Sequence, residues 1–328
     1  MAVGSGIGAQ LGWATESTYG TYVAPTSYLP AKSFQFTTKQ SSEDVVGLAA
    51  GREAAIARVV TATWGEVAFE MLAFNKGLGR GLAHMFGSAA TPVQQAGSAA
   101  YLQTHVWGDS AGRSLSIQGG FPDTAGTSQD QSALGVKLRS MEFKQDARGL
   151  LSVSYDGIAK SLTEAQTLGS ASYVAANPFH FGQWAVKLGT FGAEASVTGV
   201  RSGSVKFTRP VDEEMFYAGN AGLMAPPVWN DLMDASGTLE VDFATKADFL
   251  DRYVANSATS MVLEWVGPII ASSYAETLRF KLPKVHFGEI GQAVPDNGVL
   301  KLSVPFKAYK DLTNGTAIAE YMSTDTTV

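Results

Sequence analysis

The stretch G-E-V-A-F-E-M-L-A-F-N-K-G-L-G-R-G-L-A-H-M-F-G-S, residues 65–88, is restated half a chain later. Residues 237–260 read G-T-L-E-V-D-F-A-T-K-A-D-F-L-D-R-Y-V-A-N-S-A-T-S. At a constant offset, Gly65/Gly237, Leu78/Leu250, Arg80/Arg252, Ala83/Ala255 and Ser88/Ser260 are identical. The physical pattern is stronger than the identities. Val67, Phe69 and Met71 alternate with Glu66, Ala68 and Glu70, the two-residue period of a half-buried strand. Leu239, Val241 and Phe243 alternate with Thr238, Glu240 and Asp242 in the same register, so Glu70 falls on Asp242.

A helical pattern follows each strand. In the second stretch Thr245, with Asp248 three residues on, forms a near-capping box ahead of Phe249, Leu250, Tyr253 and Val254. In the first, Asn75 is placed to cap a helix carrying Leu78, Leu82, Met85 and Phe86. Its glycines, Gly77, Gly79 and Gly81, each weaken that helix by about 1 kcal/mol relative to alanine. A strand-then-helix unit thus recurs at half the chain length, and the pattern predicts a tandem duplication.

Working outward, 33–37 (S-F-Q-F-T) and 204–208 (S-V-K-F-T) are a second pair of matching strands. Each precedes a long segment without strand or helix pattern, 39–57 and 209–232, and such lengths are uncommon unless the loop binds something. The second holds Met215, Phe216, Tyr217, Leu223, Met224 and Trp229, too apolar for a solvated loop. It either covers its own domain's core or docks on a neighbouring subunit, and the second reading is preferred. Residues 102–107 and 113–119 read as a hairpin around 108–112. Residues 134–143 and 150–158 read as strands with counterparts at 278–287 and 299–309. Pro283 and Pro305 fall inside these runs and suggest edges or bulges there. The expected organisation is an N-terminal arm (1–31), a first β module (32–164), a connector (165–182), a second β module (183–312) and a weakly ordered C-terminal tail (313–328). The fold class is mainly β, with sandwich or barrel-like modules each flanked by one α-helix.

Composition narrows function. The 328 residues suffice for two ordinary domains, and a net charge of −6 argues against a general nucleic-acid binder. Without cysteine there is no disulfide framework and no thiolate metal site. No run of apolar residues approaches the length of a membrane span, and the N-terminus lacks a signal-peptide pattern, so a soluble, unexported protein is expected.

Candidate chemistry is thin. Gly4, Gly6 and Ala9 match a dinucleotide fingerprint, but neither the strand nor the helix that would cradle a phosphate flanks them. His84, His105, His180 and His286 are far apart and form no ligand pattern. Glu66, Glu70, Glu240 and Asp242 lie on the polar side of the matching strands, where a solvated row is plainer than a catalytic pair. No nucleophile elbow and no Walker A sequence occurs. Neither an enzyme, a cofactor nor a bound metal is expected.

G-S-G-I-G-A-Q-L-G-W-A-T-E-S-T-Y-G-T at 4–21 resembles the opening of tail tube (major tail) proteins of long, non-contractile-tailed bacteriophages. The likeness continues through V-V-G-L-A-A-G-R at 45–52, the G-E-V-A-F-E strand, and G-L-G-R-G-L-A-H-M-F-G-S at 77–88. The resemblance implies a tail-tube fold assembling into stacked rings with a β-lined lumen through which DNA passes. It also implies virion localisation after assembly in the host cytoplasm, with tail terminator, tape measure and tip proteins as partners.

The family's ring has six modules. Two modules in one chain lead to a trimeric ring of pseudo-sixfold symmetry, with an ordinary hexamer as the alternative. Residues 1–164 carry 12 basic and 13 acidic side chains and the remainder 12 and 17. Glu66, Glu70, Glu240 and Asp242 are accordingly candidate lumen residues that would repel DNA. The alternative class is a β-sandwich surface-binding module for a receptor or carbohydrate, its aromatic loop serving as the binding surface.

Overall fold

The computed structural model describes residues 3–4, 6–46, 55–87, 90–108, 113–243, 247, 249–291 and 300–328. Apolar residues at two-residue spacing drive one side of each segment into the interior, and the described chain forms three antiparallel sheets with two short helices. The first sheet runs in the order β2 (Ser27–Leu29), β1 (Gln10–Glu16), β7 (Ser114–Pro122), the first part of β8 (Ser128–Gln145), and β10 (Ser161–Thr163). The second runs β3 (Ala31–Val45), β4 (Ala57–Leu72), β9 (Leu151–Ala159), the second part of β8, β13 (Val200–Thr208), β14 (Asp234–Asp242), β17 (Lys301–Ala308) and the last residues, 285–287, of β16 (Tyr274–Phe287). The third runs β12 (Ala193–Ser196), β11 (Trp184–Thr190), β15 (Thr259–Ala271), β16 (Tyr274–Phe287), β18 (Ile318–Ser323), β6 (Tyr101–Val106) and β5 (Val93–Gln94).

The second sheet is the common wall. Over its first half lies the first sheet, where Trp13 sets its ring edge-on to Phe69 and Tyr155, each 5.9 Å away. Over its second half lies the third sheet, where Phe280 sits 4.7 Å from Phe143 and 5.1 Å from Phe207. Both halves are therefore sandwiches with interdigitated aromatic cores.

The pairings of one half recur in the other. Ladders β1–β2, β1–β7, β3–β4, β4–β9, β7–β8, β8–β9 and β8–β10 have counterparts β11–β12, β11–β15, β13–β14, β14–β17, β15–β16, β16–β17 and β16–β18. The halves join where Ser140–Gln145 of β8 pairs with Gly203–Thr208 of β13. A second link is the C-terminal strand β18, which lies between β16 and β6.

The helices are α1 (Gly79–Phe86) and α2 (Leu250–Val254). Asn75 does not cap α1. The N-cap is Leu78 without a side-chain bond, and Asn75 is buried, donating to Glu276 and accepting the Asn177 N–H at 2.7 Å. The α1 glycines serve close approach: a Cβ on Gly81 would meet the Tyr155 hydroxyl at 2.6 Å. That proximity accounts for residues that are poor helix formers.

Several expectations change. Of the segment 39–57 expected to be irregular, residues 39–45 and Ala57 instead extend β3 and β4, pairing 39–45 with 57–64. The expected hairpin of 102–107 with 113–119 does not form, because β6 pairs with β5 and β18 whereas β7 pairs with β1 and β8. Within 1–31, β1 is a core strand with Leu11 and Trp13 buried, and β2 pairs with it, so much of the expected arm belongs to the first sheet. The C-terminal tail contains β18, whose Ala319 and Tyr321 are buried, and is thus an ordered strand. Pro283 falls in the register shift between β15 and β16. Thr245 and Asp248, residues 47–52 of the quoted resemblance, Ser88 and the 109–112 turn lie outside the described residues. No described helix is long and apolar enough to cross a membrane.

Candidate functional site

The outer face of the second sheet is largely polar because strand alternation sends most of its apolar residues inward. Val67, Phe69 and Met71 are buried, and Glu66 and Glu70 point the other way. Leu239 and Val241 are buried, with Glu240 and Asp242 on the opposite side. The structure thus places all four predicted carboxylates on one face of one sheet. Serine and threonine (Ser152, Ser154, Ser204, Thr238, Ser303) fill much of the rest.

None of the four carboxylates stands alone. Lys32 lies 2.7 Å from Glu70, Lys39 3.2 Å from Glu66, and Lys301 2.7 Å from Glu240, while Arg201 bonds Asp242. Arg139 reaches Asp156 at 2.8 Å, Glu213 at 2.8 Å and Glu66 at 3.8 Å. Lys307 adds a pair with Asp234 at 2.7 Å. Each cation sits on a neighbouring strand or across one, so the charges lace the sheet crosswise. Bonds from Lys301 and Ser202 hold the Glu240 carboxyl below the usual carboxylate range, and Arg201 does the same for Asp242. The expectation of a repulsive acidic row is therefore modified: the acids are present on the face, but as ion pairs.

The apolar loop divides in two. Met224 is fully buried with Ile158 and Val211, and Phe216 lies edge-on to Trp64 at 5.6 Å. The Gly222 carbonyl accepts the Thr63 N–H, and Leu223 bridges Thr63. Met215 is half-buried, its Sδ accepting the Val228 N–H at 3.3 Å. These residues seal the loop onto β4 and β9 of the other half, not onto the core of its own half. Tyr217 and Trp229 remain exposed, the latter beneath the Arg209 guanidinium at 5.6 Å. A hollow of about 700 Å³ opens beside Trp229, Leu232 and Tyr309.

At the other end of β3, Gly4, Gly6 and Ala9 border a hollow of about 460 Å³ lined also by Leu29, Phe34, Phe121 and Tyr173. Gly4 bridges Asp123, and Val3 exchanges bonds with Thr124.

The histidines are dispersed. His84 is buried in α1 beside Thr15 at 3.2 Å, and burial with Arg113, Arg80 and Lys137 pushes its pKa down to about 3. Burial and Arg113 bring His105, bonded to Gln103, down to about 4. His180 caps a short 3-10 turn, and His286 bonds Asn256 and abuts the Tyr309 ring. Among the described residues no group of His, Asp and Glu is arranged to hold a metal.

Sequence reasoning missed the buried carboxylates Glu16 and Glu264, the second held by Lys187 and Arg279. Glu16 accepts the Gly20 and Gly135 N–H groups at 2.8 Å and the hydroxyls of Ser114 and Ser116 at 2.6 and 2.8 Å. These partners come from three separate segments, and no spacing rule connects them.

A family model described as phage tail tube protein matches residues 6–308. No curated protein matches the chain.

Proposed function

The chain belongs to the phage tail tube protein family, a structural component of the virion tail that assembles with itself and other tail proteins, and we propose that it does so as stacked rings conducting DNA. Each chain would contribute two tandem tail-tube modules, β1–β10 and β11–β18, around the 32–164 and 183–312 segments with 165–182 between them. The observation that carries this reading is the β8–β13 ladder. It fuses the second-sheet strands of two like-paired sandwiches into one continuous wall. Three chains would then supply the six modules of a pseudo-sixfold ring; a hexamer is the alternative.

The polar face with Glu66, Glu70, Glu240 and Asp242 would line the lumen. Ion pairing with Lys39, Lys32, Lys301 and Arg201 leaves few free cations for phosphates, whose capture would add drag. Exposed Tyr217 and Trp229, with the residues before Gln10, would touch neighbouring subunits and rings. Tail terminator, tape measure and tip proteins would bound the tube, which assembles in the host cytoplasm. The role is structural rather than catalytic.

Negative-stain imaging with native mass measurement tests this. Rings or tubes built from three-chain units are expected. A persistent monomer without a central opening would favour the surface-binding module instead.

A further inference from the structure

We propose that the ring closes where the free edge of β3 in one copy docks against the end of β16 and the flank of α2 in a second copy of this chain. The inference rests on the tail-tube reading and names the residues of its interface.

The internal junction supplies the template. In the second half, β13 carries S-V-K-F-T, and its edge is covered by β8. Phe207 is consequently 0% exposed, held by Phe86 of α1 at 5.1 Å and by Trp107 at 6.2 Å. In the first half β3 carries the matching S-F-Q-F-T. It pairs with β4 along one edge, and its other edge has no strand partner among the described residues. Phe34 and Phe36 are left half-buried there. A long unpaired edge is a template for another strand.

The complementary surface lies at the opposite end of the sheet order. The second part of β8 is paired on both edges, by β9 and by β13. The corresponding end of β16, residues 285–287, is paired with β17. On its other edge the β15 ladder stops at Val285, and no described strand continues it.

The helices give an independent reading of the same gap. Nearly all of α1 is buried, with Leu82 0% exposed, and none of α2 is. At the constant offset, Leu82 corresponds to Val254, which is 76% exposed, and the neighbouring Tyr253 is 37% exposed. What buries α1 includes the next module's β13. What would bury α2 is therefore the next chain's β3. The two surfaces are different patches of one molecule, and such head-to-tail contacts generate closed rings.

Because the chain has no cysteine, crosslinking reads this contact cleanly. Thr37→Cys on β3 combined with His286→Cys on β16, joined by a flexible bis-maleimide in assembled protein, is expected to give a covalent ladder ending at a closed trimer. Either single variant should stay monomeric on a denaturing gel. Rings that form but give no ladder would overturn this seam and leave the tail-tube reading standing; absence of rings from the unsubstituted chain would remove both. As a second arm, Val254→Asp should leave the monomer's Tm unchanged and raise the concentration needed for rings at least tenfold. Rings at the unsubstituted concentration would overturn the part assigned to α2.

Discussion

The Glu16 carboxylate accepts the Gly135 N–H at 2.8 Å at the point where β8 leaves one sheet for another. Up to Val136, β8 pairs with β7; from Lys137 onward it pairs with β9. Gly135 makes the bend at φ +67°, and an added Cβ would meet the Tyr19 ring at 2.8 Å. One buried carboxylate thus ties the sandwich together at its crossing strand. Glu16→Ala, which strands several buried donors, is expected to cost at least about 3 kcal/mol in denaturant unfolding. Glu16→Gln, keeping one acceptor oxygen, should cost less.

Truncations should separate fold from stacking. Removing residues 1–9 deletes exposed Val3 and Ile7 and spares β1. Near-UV circular dichroism should be unchanged, while electron microscopy should show rings that no longer stack; normal tubes would retire the segment's role. Removing residues 1–16 also deletes buried Leu11, Trp13 and Glu16. Losing one large core side chain alone costs about 3–5 kcal/mol, so no folded protein is expected from that truncation.

Charge reversal on the polar face tests whether it lines the channel. Glu70→Lys with Asp242→Lys would place ammonium groups beside Lys32 and Arg201. Exposed ion pairs contribute roughly 0–1 kcal/mol, so assembly should persist. Ejection by phage carrying both changes should slow, most at low salt, because uncompensated cations hold phosphates. An unchanged ejection rate would place the face outside the channel.

Stability should depend on pH through buried imidazoles. In the folded chain His84 and His105 protonate only near 3 and 4, whereas an unfolded histidine protonates near 6.5. Between those values the unfolded state binds more protons, so stability falls as pH drops from about 6.5 to about 4. Each group contributes at most about 1.4 kcal/mol per pH unit. A Tm series over this range should show the decline, and His84→Gln should flatten it.

Strand existence was largely legible in the residues. Alternation at Val67, Phe69 and Met71, and at Leu239 and Val241, is a local property, and β4 and β14 stand where it puts them. The polar side carrying Glu66, Glu70, Glu240 and Asp242 follows from that periodicity, as does the apolar content of the 209–232 loop. The tail-tube resemblance, carried by quoted motifs, agrees with the family match over residues 6–308.

Partners were not legible. Residues 102–107 and 113–119 looked like a hairpin because they are neighbours in sequence, yet β6 sits beside β18 from the far end of the chain. Residues 318–323 carry too short an alternation to stand out, and they become a strand because β16 and β6 flank them. Loop residues Met224 and Phe216 join a small apolar cluster because Ile158 and Trp64 meet them across the junction. Side-chain alternation is set by backbone geometry within a few residues, so the sequence alone determined the strands with long alternation, such as β4 and β14, and which way they face. Which strand lies beside which, and hence which edges are left open, depends on contacts between residues a hundred or more positions apart, and only the tertiary structure decided those.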